Sequence, residues 1–184
     1  MTIDSFPAYL ATLERAIERL PRPARLAFGA WCARRLFAAH AADLPDAAAR
    51  TAAAEALTFV DGRAAADTDE AASIDAVLLR LQTVDVDEID VVTSSGTGAL
   101  KLLECLEDAL VLSENGDTAF AVACAQCPID VIDVVMTDEL GLDTRDPTTH
   151  IRHPLLSAEI DAQIAELERL QRGNSSPRPA GTIT

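Results

Sequence analysis

The chain contains one lysine, one tryptophan and one tyrosine among 184 residues, and aromatic residues make up only 4% of it. So few large rings argue against an aromatic-rich β-sandwich, and β-branched residues do not dominate either. Alanine, the best helix former, is abundant, so closely packed helices are the expected architecture. Cations are scarce: 15 lysines and arginines face 30 acids, for a net charge of −15. Direct nucleic-acid binding needs clustered cations to neutralise phosphates, so that class of function is set aside. No run approaches the roughly 20 apolar residues of a membrane span, and no membrane role is expected. Met1 to Leu20 carries Glu14, Arg15, Glu18 and Arg19 and reads as an amphipathic helix, unlike the unbroken apolar stretch of a signal peptide. The expectation is a cytoplasmic protein whose four cysteines, Cys32, Cys105, Cys124 and Cys127, are reduced thiols.

The length suits one domain, and a chain of about 150 residues hides roughly 70% of its extended surface on folding. Phe6, Leu10, Leu13, Ile17 and Leu20 repeat at four-three spacing and form the stripe of a first helix capped by Asp4 or Ser5. A second helix runs from about Pro23 to His40, with Leu26, Ala30, Ala33 and Phe37 inward. A third crosses the alanine-rich stretch after Asp46 and stops at Asp61-Gly62. A fourth covers 68–83. Val84 to Val92 alternates like a short strand but has no evident partner, so it reads as an acidic connection. Ser94 to Gly98 reads as a turn and cap, followed by a helix to about Ser113. Asp117 caps the next helix, which Pro128 should kink or break and Gly141 should end. The last helix starts at Pro154 and buries Leu156, Ile160, Ile164, Leu167 and Leu170. The predicted fold is an all-α, single-domain bundle of about seven helices over 1–172, followed by a disordered C-terminal tail at 173–184.

Charge is spread unevenly. Residues 1–42 carry a net +3, residues 43–150 a net −18, and residues 151–184 balance. Asp85, Asp87, Glu88 and Asp90 place four acids within six residues, and they are the candidate partner-binding residues. A basic protein partner suits such a surface. A solvated acidic coat that keeps the chain soluble is the plainer alternative.

Three motifs bear on chemistry. Cys124-x-x-Cys127 has the spacing of a redox or zinc half-site, but it falls in a helical pattern, and His150 and His153 are misplaced for a finger. Two small apolar residues one helical turn apart account for it better, and no metal ligand is assigned. Ser94-Ser95-Gly96-Thr97-Gly98-Ala99-Leu100-Lys101 resembles a phosphate-binding turn. It lacks the ending of a P-loop, and Lys101, the only lysine, lies within it, so no Schiff-base lysine remains for a pyridoxal cofactor. A plain helix cap is the expectation. Acid pairs such as Asp130/Asp133 and Glu104/Asp108 are too frequent in so acidic a chain to mark an acid–base site. No catalytic residue and no cofactor is predicted.

Leu20-Pro21, Arg25-Leu26-Ala27-Phe28 and Cys32-Ala33-Arg34-Arg35-Leu36, with His153-Pro154-Leu155-Leu156, Glu159 and Gln163 near the end, resemble the YjaG-like family of all-helical bacterial proteins. Arg34 stands where that family has an acid. The layout of Ala99 to Met136, two helices joined at Asn115-Gly116-Asp117, is also similar. Related helical proteins serve as immunity proteins in polymorphic toxin systems. The resemblance implies an all-α fold and an immunity role, and carries over no catalytic residue. The expected function is therefore a cytosolic binding protein, not an enzyme, that neutralises a cognate basic toxin through an acidic surface between residues 61 and 146. The alternatives are a structural or regulatory helical protein without a toxin partner and, from a different class, a small metal-binding hydrolase.

Overall fold

The computed structural model describes residues 5–65, 74–142 and 147–174. Every regular element among these residues is helical: α1 (Phe6–Glu18), α2 (Arg22–His40), α3 (Ala47–Ala65), α4 (Ile74–Gln82), α5 (Ser94–Asn115), α6 (Thr118–Val134), α7 (Pro147–Arg152) and α8 (Pro154–Asn174). Short 3₁₀ turns lie at Ala41–Asp43 and Val86–Glu88, and one π-helical turn, Val135–Glu139, extends α6. The all-α expectation holds, and α7 is a short helix that periodicity did not reveal.

α1 begins where the Ser5 side chain accepts from Ala8 N at 3.3 Å, which satisfies one of the free donors of the first turn. Tyr9, Leu13, Ile17 and the following Leu20 are buried. Pro21 breaks the chain's helical path, and α2 restarts at once with proline in its first turn. α5 lies centrally, packed on α2, α3, α4 and α6. α3 turns an alanine face (Ala49, Ala52, Ala53, Ala56) to the core, and side chains this small let helix backbones approach closely. The arginines of α2 are largely committed to holding the bundle. Arg22 donates to the carbonyls of Ser113 (3.0 Å) and Glu114 (2.9 Å), and Arg25 to that of Gly116 (2.9 Å). They satisfy the open C-terminus of α5, where both unpaired acceptors and the helix dipole favour cations.

Several boundaries differ from the sequence reading. Asp61-Gly62 does not stop α3, which continues to Ala65. Asp61 pairs with Arg34 of α2, Arg63 stacks over Phe59, and an interior glycine costs only about 1 kcal/mol. Ser94 to Gly98 is the first turn of α5 itself, and the cap is Thr93. Pro128 does not end α6, which continues to Val134. The proline is a buried residue of the helix, on a segment whose Cys124, Ala125, Cys127 and Ile129 are also buried, and burial of this segment can offset one missing backbone donor. α8 runs to Asn174, two residues into the expected tail. The rest of that segment, 175–184, lies outside the described residues, as do Asp4, one of the two proposed caps, and the start of the predicted fourth helix. On α8, Gln163 is fully buried and Ile164 only half-buried, the reverse of the hydropathy order.

The expectation that no segment is long and apolar enough for a membrane needs correction. Thr118–Glu139 spans 22 residues with a mean hydropathy of 1.7 in its best window, enough by length and composition to cross one. Pro128, Asp130 and Asp133 interrupt the apolar run without outweighing it. In the fold this segment packs against α1, α2, α5 and α8, and 44% of the window is buried.

Candidate functional site

Asp85, Asp87, Glu88 and Asp90 lie on the connection between α4 and α5, and all four are exposed. Ile89 is their anchor, buried between them and the core. The connection is ordered by its own polar groups. Asp85 accepts from Asp87 N at 3.0 Å and Asp90 from Val92 N at 3.2 Å. The carbonyl of Asp90 accepts from Thr93 N (3.1 Å) and from its hydroxyl (2.8 Å). Thr97 donates its hydroxyl to the carbonyl of Val91 at 3.1 Å. None of the four carboxylates is in an ion pair among the described residues.

The glycine-rich start of α5 explains how this connection sits so tightly. A Cβ on residue 96 would overlap the Asp90 carbonyl, and one on residue 98 would overlap the His40 ring. Gly96 thus lets the acidic connection lie on the helix, and Gly98 lets His40 pack on it, where Nδ1 of His40 meets Asp43 at 3.1 Å. These two contacts account for a motif that resembles a phosphate turn. At the start of α5, the Ser94 hydroxyl bonds the carboxylate of Glu139 at the end of the π turn. The acidic connection and the end of the α6 extension therefore meet at one end of the bundle. Asp138, Glu139 and Leu140 are exposed there, as are Val86, Val91 and Val92. Neither 84–100 nor 129–142 contains a lysine or arginine.

A second acidic face runs along α5. Lys101 joins Glu104 (2.7 Å) on its own helix to Asp130 (2.9 Å) on α6. Asp108 lies one turn further on and has no such partner among the described residues. Burial, then the charges of Glu104 and Glu107, push its carboxyl up to about 6, against a partial offset by Lys101. Burial and Glu104 raise Glu107 as well. Of the two acid pairs noted in the sequence, Asp130 serves Lys101 and Asp133 binds His150 at 2.5 Å, while Glu104 and Asp108 lie close enough for the charge of Glu104 to raise Asp108.

The four cysteines are all buried free thiols. Cys105 Sγ lies 3.7 Å from the Cys124 carbonyl and Cys124 Sγ 3.6 Å from the Cys105 carbonyl, a reciprocal contact between α5 and α6. Hydrogen bonding with Cys124 and Cys127, together with burial, raises the Cys105 thiol, and burial raises Cys32. Protonated buried thiols are poor nucleophiles. His153 sits at the bend between α7 and α8. No group of three or more His, Cys, Asp or Glu side chains among the described residues is arranged to hold a metal ion.

One polar cluster carried no site assignment in the sequence reading. Glu159 and Gln163 of α8 are 4% and 0% exposed. Arg35 grips Glu159 with two nitrogens, at 2.8 and 2.7 Å, while stacking on Trp31. Gln163 donates to Glu159 at 2.8 Å and to the Ala125 carbonyl at 2.9 Å, and accepts from the Tyr9 hydroxyl at 2.5 Å. The cluster ties α1, α2, α6 and α8 together with its buried donors and acceptors matched, which is how buried polar groups become tolerable. Its signal in the sequence is the register of Glu159 and Gln163, which fall on the apolar stripe of α8. Tyr9, Glu159 and Gln163 are enclosed by the four helices and Arg35 covers them from the solvent side, so the cluster serves helix packing.

Set against protein-family models, curated proteins and solved structures, the chain matches none.

Proposed function

We propose that the chain is a cytosolic immunity-type binding protein, not an enzyme, which neutralises a cognate basic toxin through the acidic connection between α4 and α5. The observation that carries this reading is the state of Asp85, Asp87, Glu88 and Asp90. All four carboxylates face solvent on an ordered turn, with no cation paired to them among the described residues. Such charge contributes nothing to a core and repels its neighbours, so a basic partner is the natural use for it. Opposed fields accelerate encounter, and nucleases and other toxins that act on polyanions carry basic surfaces that this turn complements. The arginine-bearing helices are a weaker candidate for the interface, because Arg22, Arg25, Arg34 and Arg35 already serve α5, Asp61 and Glu159.

The test is co-purification from the native cell with identification of what is recovered, followed by growth of cells that express the recovered protein. The expected result is a basic toxin, with growth restored by the wild-type chain. Recovery of no toxin would leave a structural or regulatory role as the better reading.

A further inference from the structure

Solvated acids explain charge at this end of the bundle but not the apolar groups among them. Val92 is 80% exposed, Val91 51% and Leu140 50%, on a protein that buries most of its large apolar side chains. Single exposed apolar residues are ordinary, but several at one place mark contact surfaces. Val91 and Val92 immediately precede the cap of α5, and Leu140 follows Glu139, the residue that Ser94 of α5 holds. Asp85, Asp87, Glu88 and Asp90 flank the valines, and Asp138 and Glu139 flank the leucine.

The backbone that carries the valines is hydrogen-bonded to the start of α5. The Val91 carbonyl is taken by Thr97, the Asp90 carbonyl by Thr93, and Gly96 lets the segment sit directly on α5. A pre-ordered surface loses little conformational freedom on binding.

We infer that Val91, Val92 and Leu140 form an apolar anchor inside an acidic rim, fitted to a cationic protein surface that presents an aliphatic or aromatic side chain between its lysines or arginines. Charge complementarity selects this occupant. With six exposed carboxylates and no cation in the two segments that form the patch, a second copy of the same face would be repelled, as would an anionic membrane surface. The inference rests on the acidic-surface reading and divides its labour: the rim steers, and the anchor retains.

The test uses the full chain, labelled with ¹⁵N, and two synthetic amphipathic peptides of equal positive charge. One alternates lysine with leucine at helical spacing, and the other replaces each leucine by serine. The lysine–leucine peptide should shift amides at 90–95 and 137–141. Its affinity should fall roughly tenfold in a Val91→Ser, Val92→Ser, Leu140→Ser variant, as expected for loss of apolar burial. The lysine–serine peptide should bind more weakly and ignore those three changes. Equal binding of the two peptides, or shifts confined to the Glu104–Asp108 face, would overturn the anchor. The Asp85→Asn, Asp87→Asn, Glu88→Gln, Asp90→Asn variant separates the two claims: if it still binds both peptides at full strength, the acidic-surface reading itself fails. Thermal unfolding of each variant, unchanged within a few degrees, confirms an intact fold.

Discussion

Replacing Asp108 by Asn isolates one carboxyl that the fold holds in an unfavourable charged state. Its folded value is about 6 against an ordinary 3.8, through burial first and then the charges of Glu104 and Glu107. A carboxyl raised in this way stabilises the fold fully below its unfolded value and loses that contribution as pH rises through its folded value. The window therefore runs from about 4 to about 6. At 1.36 kcal/mol per tenfold change in proton affinity, the gap sets an upper bound of roughly 3 kcal/mol. Asp108 is only half-buried, so solvent screening reduces this to about 1 kcal/mol. Asn imitates the protonated carboxyl and cannot ionise. The variant should be more stable than wild type by about 1 kcal/mol at pH 8, equivalent to roughly 2–4 °C in melting temperature for a chain of this size. At pH 4 the advantage should vanish. Urea unfolding at both values, followed by Trp31 fluorescence and circular dichroism, measures the difference directly. Other acids titrate in both proteins and cancel. An effect of Asp108→Asn that is the same at pH 4 and pH 8 would refute the assigned cause.

Glu159→Ala should destabilise the fold by about 3 kcal/mol in urea unfolding, because Gln163 loses a buried acceptor and Arg35 its partner, although Arg35 can turn to water. Tyr9→Phe leaves the buried Gln163 oxygen without its donor and should cost about 1–2 kcal/mol by the same assay. Gly98→Ala should cost about 1–3 kcal/mol by crowding the His40 ring, and His40→Ala should recover most of that loss. Gly96→Ala meets a backbone carbonyl instead, so a double-mutant cycle with His40→Ala should show no such recovery. All four thiols should resist a disulfide reagent in the native protein and react only as fast as the chain unfolds, which quantitative labelling against urea would show.

Much of the fold was legible because apolar spacing and caps agreed. The stripes of α1 and α2, the Asp117 cap of α6 and the start of α8 at Pro154 follow from those local signals. Local signals failed where tertiary contacts overrode them. Gly62 reads as a stop, yet the Arg34–Asp61 pair accompanies a helix that continues through it. Pro128 reads as a break, yet core packing retains it. The glycines of Ser94–Gly98 read as a turn because nothing in the sequence reveals that His40 and the Asp90 carbonyl press on that helix. The acidic connection was visible as a charge run, and its exposure follows from the cost of burying ions. Its apolar centre was not, since Leu140 reaches it only through the fold, 48 residues from Val92 in the chain. The Arg35–Glu159–Gln163–Tyr9 cluster was likewise hidden, because it joins residues from opposite ends of the sequence.

The proposed function stands or falls most directly on the association rate with the toxin recovered by co-purification, measured by stopped flow in low and high salt. Exposed charge reaches about 30 Å at 0.01 M ionic strength but only about 3 Å at 1 M. The wild-type rate should therefore fall at least tenfold between those conditions. The Asp85→Asn, Asp87→Asn, Glu88→Gln, Asp90→Asn variant should bind slowly even in low salt, with its stability nearly unchanged, since Asn preserves the turn bonds of Asp85 and Asp90. A quadruple variant that binds at the wild-type rate in low salt and still protects cells would contradict the account and reduce the acidic connection to a solubility feature.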